Sequence, residues 1–521
     1  MESVSKSLDI DDLERKVTVS SPDRDSEIIE FTREEELQLL RKFDFMILPP
    51  LAFMYLCNAL DKGNVGNAKT AHWDKDIGLT GDQYYILVMV FYAPFCVFGT
   101  PLSLFAKRFS AARVLPIVML GFVEVQYALE QGALYCRSKE FFSQFLEVFA
   151  IRFFLGIFES PMLPAVVYYL STFYKRNELA SRVATFYAAA SISGAFSGLI
   201  AYGVFHITNT KYHNWQYLFW IEGAATLCFA AFAWFWLPRT PATWRFLTDR
   251  QKAIARSRIL SDSSATVEEG VDVTGAFSPF KSPLYWVWIL ISISLGVPLA
   301  SVNNFLPQII SSFKYSTVKT NLYTVAPNVA GTVALLLLAF SSDYFRERTI
   351  REHASLLSEL KEFRLTWICR CIPLVTAFVG FIILGSIDTL QHLHVAYFAC
   401  FLLTMGAFAP SILVATWYSN NTTHESKRAA VAAVMVGFAN SAGLISTNVF
   451  RAQDEPKYVP ALATSAAFGG FCLILVAGTG IWMRRENARR NREQGVNLQA
   501  KDVDTSNLSQ GTKSPLWRYM Y

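Results

Sequence analysis

The amino-acid sequence predicts an all-α membrane protein in which twelve transmembrane helices form two six-helix pseudo-repeats. Three observations lead to this fold class. The 521-residue chain is 52% hydrophobic and 17% charged, which is more apolar than a typical soluble domain. Its apolar residues gather in runs of the roughly 20 residues that a helix needs to cross a bilayer. A polar stretch over residues 238–282 divides these runs into six and six.

Taken in order, the chain divides into five segments. An acidic N-terminal tail (1–42) contains no apolar run that could act as a cleavable signal, and it ends in a short amphipathic helix predicted from Thr32 to Lys42. The first bundle (43–237) holds spans at 43–61, 83–105, 113–131, 143–173, 183–206 and 216–237. A central loop (238–282) follows. The second bundle (283–484) holds spans at 284–311, 322–345, 366–386, 393–417, 429–450 and 459–483, before a polar tail (485–521).

The distribution of charge predicts the orientation of the chain. A net charge of +5 is compatible with nucleic-acid binding, but lysine and arginine are concentrated in the loops on one side of the predicted membrane. Such loops usually lie in the cytoplasm, so we expect both termini there and no nucleic-acid partner. The eight cysteines lie almost entirely in apolar runs, which predicts packing rather than a disulfide framework or a metal site.

The two halves resemble each other at a spacing of about 240 residues, as in the parallel repeats of many secondary transporters. The sequence SGLI at 197–200 in the fifth span matches AGLI at 442–445 in the eleventh. Charged residues after the second and fourth spans match those after the eighth and tenth. Any one match is as easily explained by chance, whereas three at a similar spacing favour a repeat. In such repeats the substrate site lies between the halves near mid-membrane.

Two charged residues lie inside the otherwise apolar fourth span. Arg152 and Glu159 are seven residues apart, or two helical turns, so both side chains leave the same face of the helix. A charge at mid-bilayer costs at least ~2.5 kcal/mol, and such residues therefore usually face a bundle interior or a water-filled cavity. Pro161 and Pro164 interrupt the backbone hydrogen bonds just beyond Glu159, which predicts a kink.

Five motifs are similar to those of a known family. They are LDKGNVGNA (60–68), RFFLGIFESPMLP (152–164), YKRNE (174–178) with Arg182, FLPQII (305–310) and SDYFRER (342–348). Together they resemble the major facilitator superfamily, and more narrowly the fungal allantoate permease branch of its anion:cation symporters. The resemblance implies a proton-coupled importer of small, usually anionic nutrients in the plasma membrane. The sequence GTPLS at 99–103 departs from the usual pattern of this branch, a difference that concerns gating more than substrate.

The two charges of the fourth span suggest two roles. A guanidinium is always charged and binds a carboxylate with two parallel hydrogen bonds, so we expect Arg152 to bind an anionic substrate. Glu159 can take up and release a proton, since burial disfavours its charged form while a nearby arginine favours it. Substrate on Arg152 would then favour protonation of Glu159 and couple the two. The alternative is a structural Arg–Glu pair that clamps helices together.

Amide and carboxyl groups in the first and seventh spans are further candidates. Asp61, Asn64 and Asn67 follow one stripe of the first span, and we expect Asp61 to take part in proton coupling and the two asparagines in substrate binding. Helix capping explains the same residues equally well. Asn303 and Asn304 occupy the equivalent place in the second half as candidate substrate ligands, although amides in membranes also simply join helices.

Charged residues in the predicted inner loops are candidates for a gate. Pairs three or four residues apart on a helix can bridge to neighbouring helix ends, and a network of such pairs would bias the conformational equilibrium. An ordinary solvated loop is the alternative. The candidates are Glu178, Arg182, Asp343, Arg346, Glu425 and Arg428.

The sequence lacks the phosphate-binding, zinc-protease and nucleophile motifs of soluble enzymes, so we expect no catalytic residues, cofactor or metal, and transport driven by ion gradients. The expected partners are a small-molecule substrate, protons and the lipid bilayer, and the expected state is a monomer. An exporter of a fungal metabolite is the alternative within this class. A nutrient sensor that moves no substrate is a third hypothesis, which the short tails disfavour.

Overall fold

The computed structural model describes residues 31–135, 141–207, 212–262, 275, 277–351, 356–422, 425–496, 498 and 514–520. These residues form α-helices joined by short loops, and no β-strand occurs among them. The predicted all-α class is therefore confirmed. Eight described helical spans are long and apolar enough to cross a membrane, and three shorter apolar helices accompany them, Gln83–Gly99, Ala188–Val204 and Cys371–Ser386.

The first half of the chain begins with the amphipathic helix α1 (Arg33–Met46). Thr32, where the helix is predicted to begin, caps it: its hydroxyl accepts from the Glu35 backbone N–H at 3.3 Å, and the Glu35 carboxylate accepts from the Thr32 N–H at 3.0 Å. The helices that follow are α2 (Leu48–Thr70), α3 (Trp73–Asp76), α4 (Gln83–Phe109), α5 (Ala111–Tyr135), α6 (Phe141–Glu159), α7 (Met162–Ser171), α8 (Arg176–Val204) and α9 (Asn214–Trp236).

The fourth span is broken where its prolines predicted a kink. Helix α6 ends at Glu159, and α7 begins at Met162 after Pro161. Because proline cannot donate a backbone hydrogen bond, the chain leaves the helical path at this point. The break places the Glu159 carboxyl group at a helix end inside the protein.

The second half consists of six longer helices. They are α11 (Pro283–Ser311), α12 (Thr317–Arg351), α13 (Leu356–Ser386), α14 (Leu393–Asn420), α15 (Glu425–Val449) and α16 (Val459–Gln494). Between the bundles, the sequence predicts only a polar loop, but the structure contains helix α10 (Asp249–Asp262). Trp244, Leu247 and Ile254 of this region are buried in the core of the first bundle.

Contacts between the bundles follow the predicted repeat. Helix α4 packs on α15, and α8 packs on α12, so the second span meets the eleventh as the fifth meets the eighth. Helix α2 packs on α11 between these two contacts. We call the end of the bundle that carries α1 and the C-terminal residues the terminal end, and the opposite end the far end. The candidate site lies where α2, α4, α6 and α11 converge.

Candidate functional site

A buried cavity lies between the two bundles. It is small in this conformation, with about 10 Å³ of free volume, room for about one water molecule. Its lining residues are Lys62, Val65, Gly66, Tyr84, Val88, Phe91, Tyr92, Arg152 and Asn304. Aromatic rings form much of its wall, and two cationic side chains reach it. No carboxylate is among these lining residues. The cavity therefore presents a positively charged, partly aromatic surface in the middle of the protein.

Arg152 lies on this wall, as its predicted role requires. Helix α6 carries it, and the residue is only 3% exposed. The charge interacts electrostatically with Tyr84 and Tyr92 across the cavity and with Asp61 and Glu159 behind it. The guanidinium can therefore contact an anion in the cavity. The carboxyl groups of Asp61 and Glu159 are close enough to interact electrostatically with it.

Lys62 is a second cation in the cavity, which the sequence reasoning missed. Its Nζ lies 5.2, 4.9 and 5.0 Å from the ring centroids of Phe91, Tyr92 and Phe95, distances typical of cation–π contacts. It also lies 3.5 Å from the Asn440 Oδ1 on the other bundle. Lys62 lies one residue beyond the predicted first span (43–61), whereas the helix continues to Thr70; with the longer span, the rule that singled out Arg152 applies to Lys62 as well.

Glu159 is buried behind the cavity wall, with 1% of its surface exposed. The Asn58 amide lies beside its carboxyl group without forming a hydrogen bond of ordinary geometry, and no ion pair joins Glu159 to Arg152 among the described residues. Lys62, Asp61 and Arg152 are its main electrostatic neighbours. Asp61 is likewise buried, at 2% exposure. The predicted clamp between Arg152 and Glu159 is therefore not formed in this conformation.

Asn64 and Asn67 lie in a different hydrogen-bond network. The Asn64 side chain donates to the Glu222 carboxylate on α9 and accepts from the Ser197 hydroxyl on α8 at 3.1 Å. Asn67 donates to the same hydroxyl at 2.5 Å. The two amides thus join α2 to α8 and α9, and neither lines the cavity described above. Glu222 is 3% exposed, and its second carboxyl oxygen accepts no hydrogen bond from the described residues.

The two predicted asparagines of α11 have different surroundings. Asn304 lines the cavity and donates to the Tyr92 hydroxyl at 2.7 Å. Asn303 is exposed on the outer surface of α11 and does not reach the cavity. Four residues beyond Asn304, Gln308 donates to the Tyr84 hydroxyl at 2.6 Å. One face of α11 therefore binds the phenols of α4 and joins the two bundles at the cavity.

Side chains of both bundles close the far end. Lys69 forms an ion pair with Glu455 at 3.0 Å, and the Tyr85 hydroxyl donates to the same carboxylate at 3.1 Å. Burial alone would raise the pKa of Glu455, but the charge of Lys69 and hydrogen bonds from Tyr458, Lys69 and Tyr85 hold that pKa below its ordinary value. Nearby, the Thr317 hydroxyl donates to the Thr70 carbonyl at 3.2 Å.

The gate candidates of the first half form ion pairs at the terminal end. Arg182 donates from Nε and Nη2 to Asp44 at 3.1 and 3.0 Å, and Glu178 accepts from the buried Arg258 of α10 at 2.7 Å. Arg258 also donates to Glu36 at 2.7 Å. The predicted gate residues of the first half thus hold α1 and α10 against α8.

The gate candidates of the second half are only partly described. Arg428 donates to the Thr422 carbonyl at 3.3 Å, across the turn between α14 and α15. The side chains of Asp343, Arg346 and Glu425 lie outside the described residues. The gate candidates that are described at the terminal end have partners in their own half, such as Asp44 for Arg182 and the Thr422 carbonyl for Arg428. Inter-bundle contacts of Lys69 and Thr317 close the far end.

Comparison with known proteins agrees with this architecture. Residues 51–447 match the profile of the Major Facilitator Superfamily. The chain is 47% identical over 494 residues to an uncharacterized transporter of Schizosaccharomyces pombe, which covers 95% of this chain and 92% of the relative. It is 27% identical over 509 residues to the high-affinity nicotinic acid transporter of Saccharomyces cerevisiae, covering 98% and 89%. A D-xylose–proton symporter crystal structure, 14% identical with a TM-score of 0.64 over 83% of this chain and 97% of that one, is similar in fold.

Proposed function

This chain belongs to the Major Facilitator Superfamily, and we propose that it imports a small organic anion together with protons. The observation that carries the proposal is the pairing of cations on one cavity wall. Lys62 and Arg152 both line the buried cavity, while the neighbouring acids Asp61 and Glu159 do not. An anion that enters this cavity meets two positive charges in a region of low dielectric, where charge interactions are strong.

The chemistry of the wall favours a carboxylate as the anion. The guanidinium of Arg152 presents parallel N–H groups that match the two oxygens of a carboxylate. The ammonium of Lys62 is a point charge already surrounded by aromatic rings, and these rings offer an apolar surface to the remainder of a small substrate. Nicotinate, allantoate, carboxylic-acid vitamins and small peptides all carry such a group.

Proton coupling is proposed for the acids behind the wall. Glu159 is buried with the Asn58 amide beside it, and Asp61 lies within electrostatic range of it. Buried acids that face the interior of a membrane protein commonly relay protons. When a substrate carboxylate binds Arg152, it weakens the attraction of that cation for Glu159. The protonated form of Glu159 is then favoured, so that a proton travels with the anion.

Transport by alternating access agrees with the closed far end. Ion pairs and hydrogen bonds of Lys69, Glu455 and Thr317 join the bundles there, whereas Arg182 and Arg428 at the terminal end bind partners in their own half. Rocking of one bundle against the other about the central cavity would open the far end and close the terminal end. Glu178, Arg182, Asp343, Arg346, Glu425 and Arg428 are proposed to contribute to closure at the terminal end.

Placement within the superfamily is also proposed. The motifs of the sequence resemble the allantoate permease branch, and the similarity to the nicotinic acid transporter extends over 98% of this chain. We assign the protein to that branch as a monomer in the fungal plasma membrane, with both termini in the cytoplasm. The positive charge of the loops at the terminal end supports this orientation.

Uptake of labelled small carboxylates tests the proposal. Yeast lacking its own carriers would express the wild type, Arg152→Ala or Lys62→Ala, and uptake would be compared at acidic and neutral external pH. We expect one carboxylate to accumulate more at acidic pH, and both variants to lose that accumulation. Lys75→Ala is the matched control, because Lys75 is an exposed cation at the far end.

Two outcomes would contradict the proposal. If no carboxylate enters but preloaded cells expressing the protein lose a metabolite faster, the protein is an exporter. If Arg152→Ala and Lys62→Ala take up the substrate as the control does, these cations do not form the binding site.

A further inference from the structure

The last residues of the chain fill a groove at the terminal end of the second bundle. Trp517 and Tyr519 are 3% and 7% exposed and belong to the apolar core of this bundle. Their neighbours in that core are Trp288, Trp417 and Met483, which come from α11, α14 and α16. A tail that the sequence marks as merely polar is thus anchored by two aromatic side chains.

Two asparagines recognise the backbone of this segment. The Asn487 side chain donates to the Tyr519 carbonyl at 2.8 Å and accepts from the Tyr519 N–H at 2.9 Å. The Asn421 side chain does the same with Met520, at 2.7 and 2.9 Å. Such two-way pairing satisfies both backbone groups of a residue, as an adjacent strand does when an extended peptide binds a sheet edge. The groove therefore has the chemistry of a peptide-binding site.

The charged residue of the segment is held by neutral groups. Arg518 is 2% exposed and donates to the Asn491 Oδ1 at 2.7 Å and the Gln494 Oε1 at 2.8 Å. Burial and the nearby charge of Arg490 lower the pKa of Arg518. Burying a cation without a carboxylate partner costs free energy, which offsets part of the gain from the two aromatic anchors. The segment therefore docks more weakly than its contacts alone suggest.

We propose that residues 514–520 are a detachable peptide ligand of this groove, and that docking stabilises the conformation in which the far end is closed. Asn421, the residue after α14, pairs with Met520, and the carbonyl of the next residue, Thr422, accepts from Arg428 of α15. The docked Met520 is thus linked through Asn421 and Thr422 to a gate candidate. When the segment leaves, Arg428 can take up the arrangement that closes the terminal end.

The segment is part of the same chain as its groove, so weak docking is sufficient to keep the groove occupied. Residues 495–513 lie between α16 and the segment in the sequence, and a ligand joined covalently to its own site can reach an effective concentration in the mM range. A weak intrinsic affinity then still leaves the groove mostly occupied. A separate peptide should compete only when the tethered copy is removed.

Peptide binding provides the first test. A fluorescent synthetic peptide of residues 510–521 would be titrated onto purified chain truncated after residue 513, with full-length chain beside it. We expect saturable binding to the truncated chain and at least tenfold weaker binding to the full-length chain. A peptide carrying Trp517→Ala and Tyr519→Ala should not bind. Absence of binding to a folded truncated chain would overturn the proposal.

The conformational effect is tested by distances between spin labels. Lys75→Cys and Gln453→Cys place labels on exposed far-end positions of the two bundles, in a background without other reactive cysteines. We expect truncation to populate longer distances and the added peptide to restore shorter ones. If truncation destabilises the fold, Asn421→Ala with Asn487→Ala removes the backbone pairing instead. Unchanged distances in a folded variant would show that the segment is a fixed structural strap.

Discussion

Arg152 and Glu159 are two helical turns apart on the same broken transmembrane span, and both are buried, yet no ion pair joins them. Arg152 lies on the wall of the central cavity, whereas the Glu159 carboxyl group lies behind it at the end of α6. The arginine is therefore available to a substrate anion and the glutamate to a proton. Because of this separation, Arg152 can bind substrate and Glu159 can take up a proton in successive steps, while their charges still interact.

Replacing Glu159 by glutamine should separate substrate exchange from proton-driven accumulation. The amide has nearly the same shape but cannot release a proton, so the variant should exchange labelled for unlabelled substrate and fail to concentrate it. Exchange and accumulation in reconstituted vesicles, with and without a pH gradient, measure the two activities. Glu124→Gln is the control, since Glu124 is an exposed acid on α5. Accumulation equal to that of the control would exclude Glu159 as the proton site.

Replacing Gly443 by alanine should disturb the contact between α15 and α4. A Cβ at this position would overlap the ring of Tyr92, whose hydroxyl accepts from Asn304. Overpacking of this kind costs roughly 1–3 kcal/mol. The closed far end should therefore be depopulated by about tenfold or more, because 1.4 kcal/mol is about a factor of ten.

Gly437→Ala is the matched control for that experiment. Gly437 lies on the same helix, and an added Cβ there meets nothing within 4 Å. Far-end spin-label distances and initial uptake rates should change for Gly443→Ala and remain near wild type for Gly437→Ala. Equal behaviour of the two variants would show that the Tyr92 contact does not control the equilibrium.

Removing Arg258 should release α1 from the body of the protein. Its side chain is 0% exposed and binds the carboxylates of Glu36 and Glu178, so Arg258→Ala leaves two partly buried acids without this partner. Breaking such a pair costs roughly 3 kcal/mol. Limited trypsin cleavage at the exposed Arg41 should become faster, and the melting temperature should fall. Arg256→Ala, an exposed neighbour on α10, should match wild type; similar cleavage of both variants would contradict the assignment.

Acidification should weaken the far-end contact only below the ordinary pKa of a glutamate. The pKa of Glu455 is held below 4.5, so the contribution of its charge to closure is complete above that pH. This contribution is lost when Glu455 becomes protonated, as the pH falls through its lowered pKa in the folded protein. Glu455→Gln should mimic this loss at every pH, with longer far-end distances between spin labels. Asp454→Asn is the control on the adjacent residue; a pH response of the wild type at neutral pH would point to another group.

Much of the fold was predictable because it depends on local patterns. Apolar runs of bilayer length predicted the membrane helices, and the polar stretch at 238–282 predicted two bundles. Thr32 with Glu35 begins α1 as a capping pair does, and Pro161 interrupts the fourth span. Each of these features is decided by residues within a few positions of one another, so reading the chain in order is sufficient.

The candidate site was only partly predictable. The cost of burying charge singled out Arg152 and Glu159, and the same rule applied to Lys62 would have found the second cation. The sequence could not show which of Asn303 and Asn304 reaches the cavity. Periodicity tells which residues share a face of a helix, but it does not determine how that helix is rotated in the bundle. Packing of α11 against α4 decides that Asn304 reaches the cavity and Asn303 does not.

The sequence by itself therefore determined the membrane helices, the two bundles and the charged residues that need an interior partner. Only the tertiary structure decided which side chains meet. It brought Lys62 and Arg152 to one cavity, placed Arg258 of the central loop between Glu36 and Glu178, and seated the C-terminal residues beside Asn421 and Asn487. These contacts join residues far apart in the chain, and their geometry depends on the packing of whole helices, which local sequence patterns do not specify.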